Sequence, residues 1–142
     1  MQNIDSLVIG KNAQLAHYLE NKNIVKVSAR NFDMSLLNKS WDKIYLLFAE
    51  QRTYYANNKN YKQEFYDVNY YLTKKIVDNA SCNKIVYLST TELWNNVSGP
   101  ITINTAHDFI QNYYTDSKMM ITNYIKKNFN PEDAIILYPY NF

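Results

Sequence analysis

Apolar residues gather in five short runs that predict β-strands, at residues 6–9, 24–27, 44–48, 85–88 and 134–137. Polar or turn-forming residues bound each run, and β-branched side chains are frequent within them, as is typical of strands. Most of the runs are continuously apolar and do not alternate with polar residues. Continuous runs of this length indicate the strands of a parallel sheet that is buried on both faces.

Between these runs, apolar residues recur at the three- and four-residue spacing of a helix. The spacing predicts helices over residues 13–19, 65–80 and 113–129, and Asn95 to Thr105 is predicted to be an irregular surface loop. Strands that alternate with helices predict an α/β fold, a doubly wound parallel sheet with helices on both faces. Because such folds bind ligands outside the carboxyl ends of their strands, the residues that follow each strand are candidates for a site.

Length and charge narrow the classes of protein that fit this pattern. The 142 residues predict one domain, residues 1–142, and the net charge of +2 is too small to indicate a nucleic-acid-binding protein. A single cysteine, Cys82, excludes an internal disulfide and fits a reducing compartment. No apolar run is long enough for a membrane span and no secretory signal is visible, so we expect a soluble, cytoplasmic protein. His17 and His107 have no second histidine or cysteine at ligand spacing, and no metal site is predicted.

The segment after the first strand, Gly10 to Ala16, has the form of a phosphate-binding turn. A helix that opens after a strand presents unpaired N–H groups and the positive end of its dipole, which suit a phosphate. Glycines in a dinucleotide site make the tight turn and let the pyrophosphate approach. This segment keeps Gly10 and has Ala13 and Ala16 at the other two positions. A plain strand-to-helix turn with small packing residues shows the same pattern, so both interpretations stay open.

Two further groups of side chains could carry chemistry. Ser89 and Thr90 follow the fourth strand, where their hydroxyls either donate to a substrate oxygen or cap the next turn. Tyr114 and Lys118 are four residues apart and so share one face of a helix. A lysine cation beside a phenol lowers the pKa of the phenol, which makes a tyrosine usable as a proton carrier near neutral pH. With 14 tyrosines in the chain, such a pair also arises by chance.

In combination, these features resemble the extended short-chain dehydrogenase/reductase family, the nucleotide-sugar epimerases, dehydratases and reductases. The Gly10 turn, the Ser89-Thr90 pair and the Tyr114/Lys118 pair stand in the family's order. Three further segments are similar to family motifs: residues 67–69, 85–94 and 136–142. The resemblance spans nearly the whole chain and implies a Rossmann-like sheet of about five strands, the NAD(P)-binding portion of the family's longer chain.

The resemblance also implies a reaction, hydride transfer between NAD(P) and a nucleotide-sugar. Tyr114 would exchange a proton with the substrate, Thr90 would hydrogen-bond the same oxygen, and Lys118 would hold the nicotinamide ribose and lower the pKa of Tyr114. The other implied cofactor-binding residues are Gly10, Asn12, Ala13, Gln14 and Leu15 along the pyrophosphate, Arg30, and Phe48 and Ala49 on the adenosine side. A homodimer through the helices at 65–80 and 113–129 is implied as well, with neither a nucleic-acid nor a membrane partner.

Some positions depart from the family's pattern and bear on cofactor and reaction. Ala13 and Ala16 place methyl groups where glycine lets the pyrophosphate approach. The second strand ends in Ser28-Ala29-Arg30 without the usual acidic residue, which favours NADP over NAD, although Arg30 also fits a solvated end-of-strand charge. Thr91 stands where the dehydratases carry an aspartic acid, so epimerase or reductase chemistry is favoured over dehydration.

The end of the sequence at Phe142 leaves three functional hypotheses open. The family's substrate-binding lobe would begin near this residue, so the chain is expected to be the cofactor-binding part of an epimerase or reductase. One alternative is a module that binds a dinucleotide without catalysis. The other is a protein-interaction domain that keeps only the fold, which the altered glycine positions favour.

Overall fold

A computed structural model describes residues 5–20 and 23–139 of the chain. Its centre is a sheet of five parallel strands in the order β2-β1-β3-β4-β5. The strands are β1 (Ser6–Ile9), β2 (Ile24–Val27), β3 (Trp41–Leu46), β4 (Cys82–Leu88) and β5 (Ala134–Leu137). The predicted α/β class and parallel sheet are therefore confirmed. β3 and β4 begin three residues before their apolar runs because Trp41 is buried and pairs with Cys82.

The order in which the chain adds strands to the sheet reverses at β1. β2 lies on one side of β1 and β3 on the other, with Ile9 beside both Val27 and Leu46. Among the described residues, no crossover connection covers the crevice between the carboxyl ends of β1 and β3, which is where ligands bind in sheets of this kind.

The first helix differs most from its predicted form. Residues 13–19 form only a short 3-10 helix, Gln14–Tyr18, whose N-terminal flank Ala13 provides no side-chain cap. The second predicted helix begins earlier and consists of α1 (Lys62–Tyr66), a π-helical segment (Asp67–Leu72) and α2 (Thr73–Asn79). The third is α3 (Tyr113–Asn128). Further 3-10 helices span Met34–Asn38, Thr53–Tyr55, Lys59–Tyr61 and Thr91–Trp94.

Helix α3 begins where predicted because its N-terminus is capped. The Asn112 side chain accepts from the Thr115 backbone N–H at 2.9 Å, and the Thr115 hydroxyl accepts from the Asn112 N–H at 3.1 Å. This reciprocal pair satisfies two backbone donors at the helix start. Residues 95–112 before it contain neither helix nor strand, so the predicted loop is present and longer than expected.

The two faces of the sheet are covered unequally. On one face, α2 and α3 bury Ile76 and Ile121 against Leu7, Ile44 and their neighbours. On the other face, the smaller cluster of Val8, Ala16 and Leu47 is covered by the 3-10 helix at Gln14–Tyr18. Within residues 5–20 and 23–139, no helix is long and apolar enough to cross a membrane.

Candidate functional site

Two neighbouring cavities open at the carboxyl ends of the central strands. The inner cavity, about 510 Å³, extends from the β3 end to Thr90, Tyr114 and Lys118. The outer cavity, about 590 Å³, extends from Gly10 to Arg30 at the end of β2. The two share part of their walls: Ala13, Leu47, Phe48, Ala49 and Gln51. They therefore adjoin across the crevice between β1 and β3.

Every residue that the resemblance assigns to the cofactor lines at least one of these cavities. Gly10, Asn12 and Arg30 line the outer cavity, and Gln14, Leu15 and Lys118 line the inner one. Ala13, Phe48 and Ala49 line both. The fold thus brings together segments from the ends of β1, β2, β3 and from α3.

Gly10 permits a close approach of two backbone segments beneath the cavities. Its φ of 108° lies in the region that side chains disfavour, and a Cβ there would meet the Leu47 carbonyl carbon and the Phe48 nitrogen at 3.0 Å each. The Gly10 and Lys11 N–H groups both donate to the Val27 carbonyl, at 2.8 and 3.0 Å. The loop after β1 is therefore anchored to β2 and lies directly against the loop after β3.

The predicted helix dipole behind this loop is smaller than the sequence suggested. A 3-10 helix of five residues aligns few peptide dipoles, so the field at its N-terminus is weak. Binding of a pyrophosphate here would depend on individual N–H groups and on nearby cations. Lys11 and Arg30 are two such cations in the wall of the outer cavity.

Tyr114 and Thr90 both line the inner cavity. Tyr114 is 8% exposed, and burial raises the pKa of its phenol, while the Thr90 hydroxyl counteracts the rise and the Glu92 carboxylate adds to it. The Thr90 Oγ1 also accepts from the Glu92 N–H at 3.1 Å and so caps the 3-10 helix at Thr91–Trp94. The capping role considered for Thr90 is therefore present, and the residue also lines the cavity.

Lys118 is buried in the wall of the inner cavity. Its Nζ donates to the Leu88 carbonyl at 2.7 Å and lies 4.7 Å from the centroid of the Tyr87 ring. Burial lowers the pKa of Lys118 to about 7, so the group is only partly charged near neutral pH. Burial of the phenol raises the pKa of Tyr114, and the lowering of that pKa by Lys118 stays a prediction.

Hydrogen bonds from buried side chains hold the walls of the inner cavity in place. Ser89 Oγ and Thr122 Oγ1 are 2.8 Å apart, and Thr122 donates to the Lys118 carbonyl at 2.7 Å. Asn69 accepts from the Glu50 N–H at 2.7 Å and donates to Ser117 Oγ at 3.0 Å. These bonds tie the end of β4 and the loop after β3 to α3.

Asn69 and Glu92 lie in segments that resemble family motifs but were given no role from the sequence, and Gln51 was not singled out. Glu92 and Gln51 line the inner cavity, and burial raises the pKa of the Glu92 carboxyl. The sequence feature that could have indicated a role for Asn69 is a polar amide on the apolar face of the predicted helix. The described residues contain no cluster of His, Cys, Asp and Glu that could hold a metal ion.

Comparison with solved structures finds this architecture in nucleotide-sugar enzymes. A dTDP-4-dehydrorhamnose reductase from Clostridium acetobutylicum superposes with a TM-score of 0.73 at 19% identity, over 94% of this chain and 52% of that one. A UDP-glucuronic acid 4-epimerase from Bacillus cereus, a Y149F mutant in complex with NAD, gives a TM-score of 0.76 at 17% identity, over 95% and 56% of the two chains. The fold is Rossmann-like.

This Rossmann-like chain spans about half the length of the structures that it matches. An ADP-L-glycero-D-manno-heptose-6-epimerase from Helicobacter pylori shows the same relation, with 15% identity, a TM-score of 0.74 and coverage of 96% of this chain and 55% of that one. No protein-family model and no curated protein matches the sequence. The likeness therefore establishes the fold, and function must be argued from the site.

Proposed function

We propose that the chain binds NAD(P) across the two cavities as the cofactor-binding part of a nucleotide-sugar epimerase or reductase. The observation that carries this proposal is the convergence of all predicted cofactor residues on two adjoining cavities at the strand-order reversal. The absence of a side chain at Gly10 lets the loop after β1 lie directly against the loop after β3, so both loops line the same cavity. Among the structures of similar fold, a UDP-glucuronic acid 4-epimerase is in complex with NAD.

The outer cavity favours the 2′-phosphorylated cofactor, NADP. Arg30 and Lys11 line it, and the Arg30 backbone N–H donates to Ser28 Oγ at 3.1 Å. An arginine at the end of the second strand accommodates a 2′-phosphate in dinucleotide-binding folds, whereas a carboxylate there takes the ribose hydroxyl. In this chain Ser28, Ala29 and Arg30 carry no carboxylate.

The inner cavity supplies the groups that such a reaction needs from the protein. NAD(P), when bound, supplies or accepts the hydride. Tyr114 gives its phenolic proton to the substrate oxygen when a carbonyl is reduced and takes it back when a hydroxyl is oxidised. Thr90 donates to the same oxygen and orients it. The Lys118 ammonium uses one of its three N–H groups for the Leu88 carbonyl, which leaves the others for ribose hydroxyls.

The resemblance further supports a homodimer through the helices α1 to α3. Tyr71, 56% exposed on the π-helical segment, lies on the surface that such a dimer would bury. A Tyr71→Lys variant should reduce the mass measured by sedimentation, and an unchanged mass would contradict this interface.

Fluorescence titration with NADH and NADPH tests the cofactor proposal. Ala13→Asp places a negative charge in the wall shared by both cavities and should weaken binding of both cofactors about tenfold or more, because like charges repel across a site of low dielectric. The matched control is Ala106→Asp, a substitution in the exposed loop before α3. Arg30→Ala should weaken binding of NADPH alone. If neither cofactor binds the unaltered chain, the interaction-domain hypothesis is the better one.

The raised pKa of Tyr114 supports a second candidate, a module that binds the dinucleotide without turnover. A phenol that holds its proton tightly is a poor base for oxidising a sugar hydroxyl near neutral pH. Incubation with NAD(P) and nucleotide-sugars distinguishes the candidates, if a reductase is followed by absorbance of the reduced nicotinamide and an epimerase, which leaves the cofactor unchanged, by chromatography of the sugar product. Turnover that Tyr114→Phe abolishes supports the enzyme, and tight binding without turnover supports the module.

A further inference from the structure

Arg52 joins two carboxylates beside the inner cavity, between the lining residues Gln51 and Thr53. Its Nε and Nη2 donate to the two oxygens of Glu50 at 2.8 and 2.9 Å, and Nη2 also donates to Glu64 of α1 at 2.6 Å. Isolated surface ion pairs contribute little to stability, whereas bidentate pairs and networks contribute more. The hydrogen bond from Arg52 also holds the pKa of the Glu50 carboxyl below its usual value, so this carboxylate stays charged near neutral pH.

One of these two carboxylates belongs to a residue whose backbone is fixed to the interior. The Glu50 N–H donates to Asn69 Oδ1 at 2.7 Å, and Asn69 is 2% exposed in the π-helical segment. Arg52 therefore bridges a fixed point in the loop after β3 to helix α1. Residues 53–61, which follow Arg52 and contain the 3-10 helices Thr53–Tyr55 and Lys59–Tyr61, are named the cover segment below.

The cover segment packs against Tyr114. Its Ala56 is 1% exposed and lies in one buried cluster with Phe65 and Tyr114. Phe65 meets the Tyr114 ring edge to face, with the centroids 6.5 Å apart. The Ala56 carbonyl accepts from the Tyr113 N–H at 2.8 Å, which bonds the segment to the start of α3. The burial of the Tyr114 phenol therefore depends in part on the place of the cover segment.

The Arg52 guanidinium also contacts the cover segment directly. The rings of Tyr55 and Tyr61 are stacked, with centroids 4.0 Å apart and an angle of 6° between the planes. Arg52 Cζ lies 5.8 Å from the Tyr55 centroid and 5.5 Å from the Tyr61 centroid, within the range of a cation–π attraction. Because the stacked rings end the two 3-10 helices, Arg52 holds the segment at both of them.

We propose that Arg52 is a positioning residue of the inner cavity, which holds the cover segment over Tyr114 through its two carboxylate partners. The role of Tyr114 in proton transfer rests on the proposed function, whereas the positioning is a property of the chain without cofactor. A covered phenol is shielded from bulk water, so its proton passes to a bound substrate and not to solvent. The same contacts hold Thr53 in the cavity wall.

Nitration by tetranitromethane, mapped by peptide mass spectrometry, tests the proposal on the chain without cofactor. The reagent modifies accessible tyrosines, and Tyr18, 76% exposed and outside the cover segment, is the internal reference. Arg52→Ala should raise the nitrated fraction of Tyr114 several-fold relative to Tyr18. Tyr87, which is 1% exposed, should stay unmodified because only the cover segment opens. Equal rises at Tyr114 and Tyr87 would show a general loosening of the fold and overturn the positioning role.

Lys74→Ala is the matched control for Arg52→Ala. Lys74 also forms an ion pair, with Asp78 at 3.0 Å, and its Nζ lies 4.9 Å from the centroid of a tyrosine ring. It lies on α2 and lines neither cavity, so Lys74→Ala should leave Tyr114 as protected as in the unaltered chain. A rise at Tyr114 equal to that of Arg52→Ala would overturn the proposal.

Glu64→Ala and a titration with NADPH complete the test. Glu64→Ala removes only the bond to α1, so it should raise nitration of Tyr114 less than Arg52→Ala does. Arg52→Ala should also weaken NADPH binding several-fold, because wall groups that are no longer held must be ordered on binding.

The two measurements separate this proposal from the proposed function. An unaltered chain that binds no NADPH would contradict the proposed function, while selective nitration of Tyr114 in Arg52→Ala would still support the positioning role. If Tyr114 stays protected in both Arg52→Ala and Glu64→Ala, the positioning role is overturned even where NADPH binds.

Discussion

Lys118 shows how burial changes what a side chain can do at a predicted position. Sequence spacing predicted an ammonium beside the Tyr114 phenol, but it could not show that the amine would lie fully buried on the Leu88 carbonyl. Desolvation disfavours the charged form of an amine, and the pKa of Lys118 falls to about 7. The charge that the mechanism would use is therefore only partly present near neutral pH.

The lowered pKa of Lys118 predicts a pH-dependent effect of Lys118→Met on stability. The unfolded chain binds a proton at this lysine up to its ordinary pKa near 10.5, whereas the folded chain releases it above about 7. The folded form therefore gains stability relative to the unfolded form as pH rises from 7 towards 10, by up to about 1.4 kcal/mol per pH unit. Urea denaturation should show this rise in the unaltered chain and its loss in Lys118→Met.

Lys127→Met, an exposed position on the same helix, is the control for Lys118→Met. It should keep the pH dependence of the unaltered chain. Parallel curves for the unaltered chain and Lys118→Met would show that the amine is hydrated in the folded state.

The two glycines of the chain predict different costs for the same substitution. Gly10→Ala meets the backbone of Leu47 and Phe48 at 3.0 Å, while an added Cβ at Gly99 has nothing within 4 Å. Both have positive φ, so each loses about 1 kcal/mol or more to backbone conformation. Gly10→Ala should lower the free energy of unfolding by roughly a further 1–3 kcal/mol because of the overpacking. If urea denaturation finds equal losses of unfolding free energy for Gly10→Ala and Gly99→Ala, the loop after β3 moves to accommodate the added methyl group without cost.

Among the elements, strands were predicted better than the first helix. Continuous apolar runs indicate buried strands directly, and the run at 134–137 coincides with β5. The spacing of Leu15, Ala16 and Leu19 also fits a helix, but it carries no information on helix length. Here the Lys26 ammonium donates to the Ala16 carbonyl at 2.6 Å, and Ala13 offers no side-chain cap. A tertiary contact and a missing cap thus leave a short 3-10 helix.

Asn69, in the π-helical segment between α1 and α2, is predicted to have a structural role because of its hydrogen bonds. The side-chain amide of Asn69 accepts a hydrogen bond from the Glu50 N–H and donates one to Ser117 Oγ. The residue is only 2% exposed. Asn69→Ala leaves both of those groups without this partner, which should lower the free energy of unfolding by about 1–3 kcal/mol. Asn123→Ala, on the exposed side of α3, should change it by less than about 0.5 kcal/mol. Similar losses in the two variants, measured by urea denaturation, would contradict a specific role.

For the whole molecule, the site was predictable as a set of segments but not as a geometry. The rule that ligands bind at carboxyl ends of parallel strands selects Gly10, Arg30, Phe48 and Thr90 from their sequence positions. The direction of the Lys118 amine and the contact of Asn69 with Ser117 arise from packing between elements distant in sequence. Sequence periodicity describes one element at a time, so it cannot predict contacts between elements such as these.

Unequal covering of the sheet predicts unequal local stability. Helix α3 buries Ile121 and Ile125 in the main core, whereas the 3-10 helix at Gln14–Tyr18 buries Ala16 alone. Local opening follows the amount of buried apolar contact, so amide hydrogen exchange should be fast at residues 14–18 and slow in α3. Addition of NADPH should slow exchange at residues 10–16 and 47–51 if the cofactor binds in the two cavities, because binding stabilises only the closed form. Protection confined to β5 instead would place the ligand on the sheet edge and contradict the proposed site.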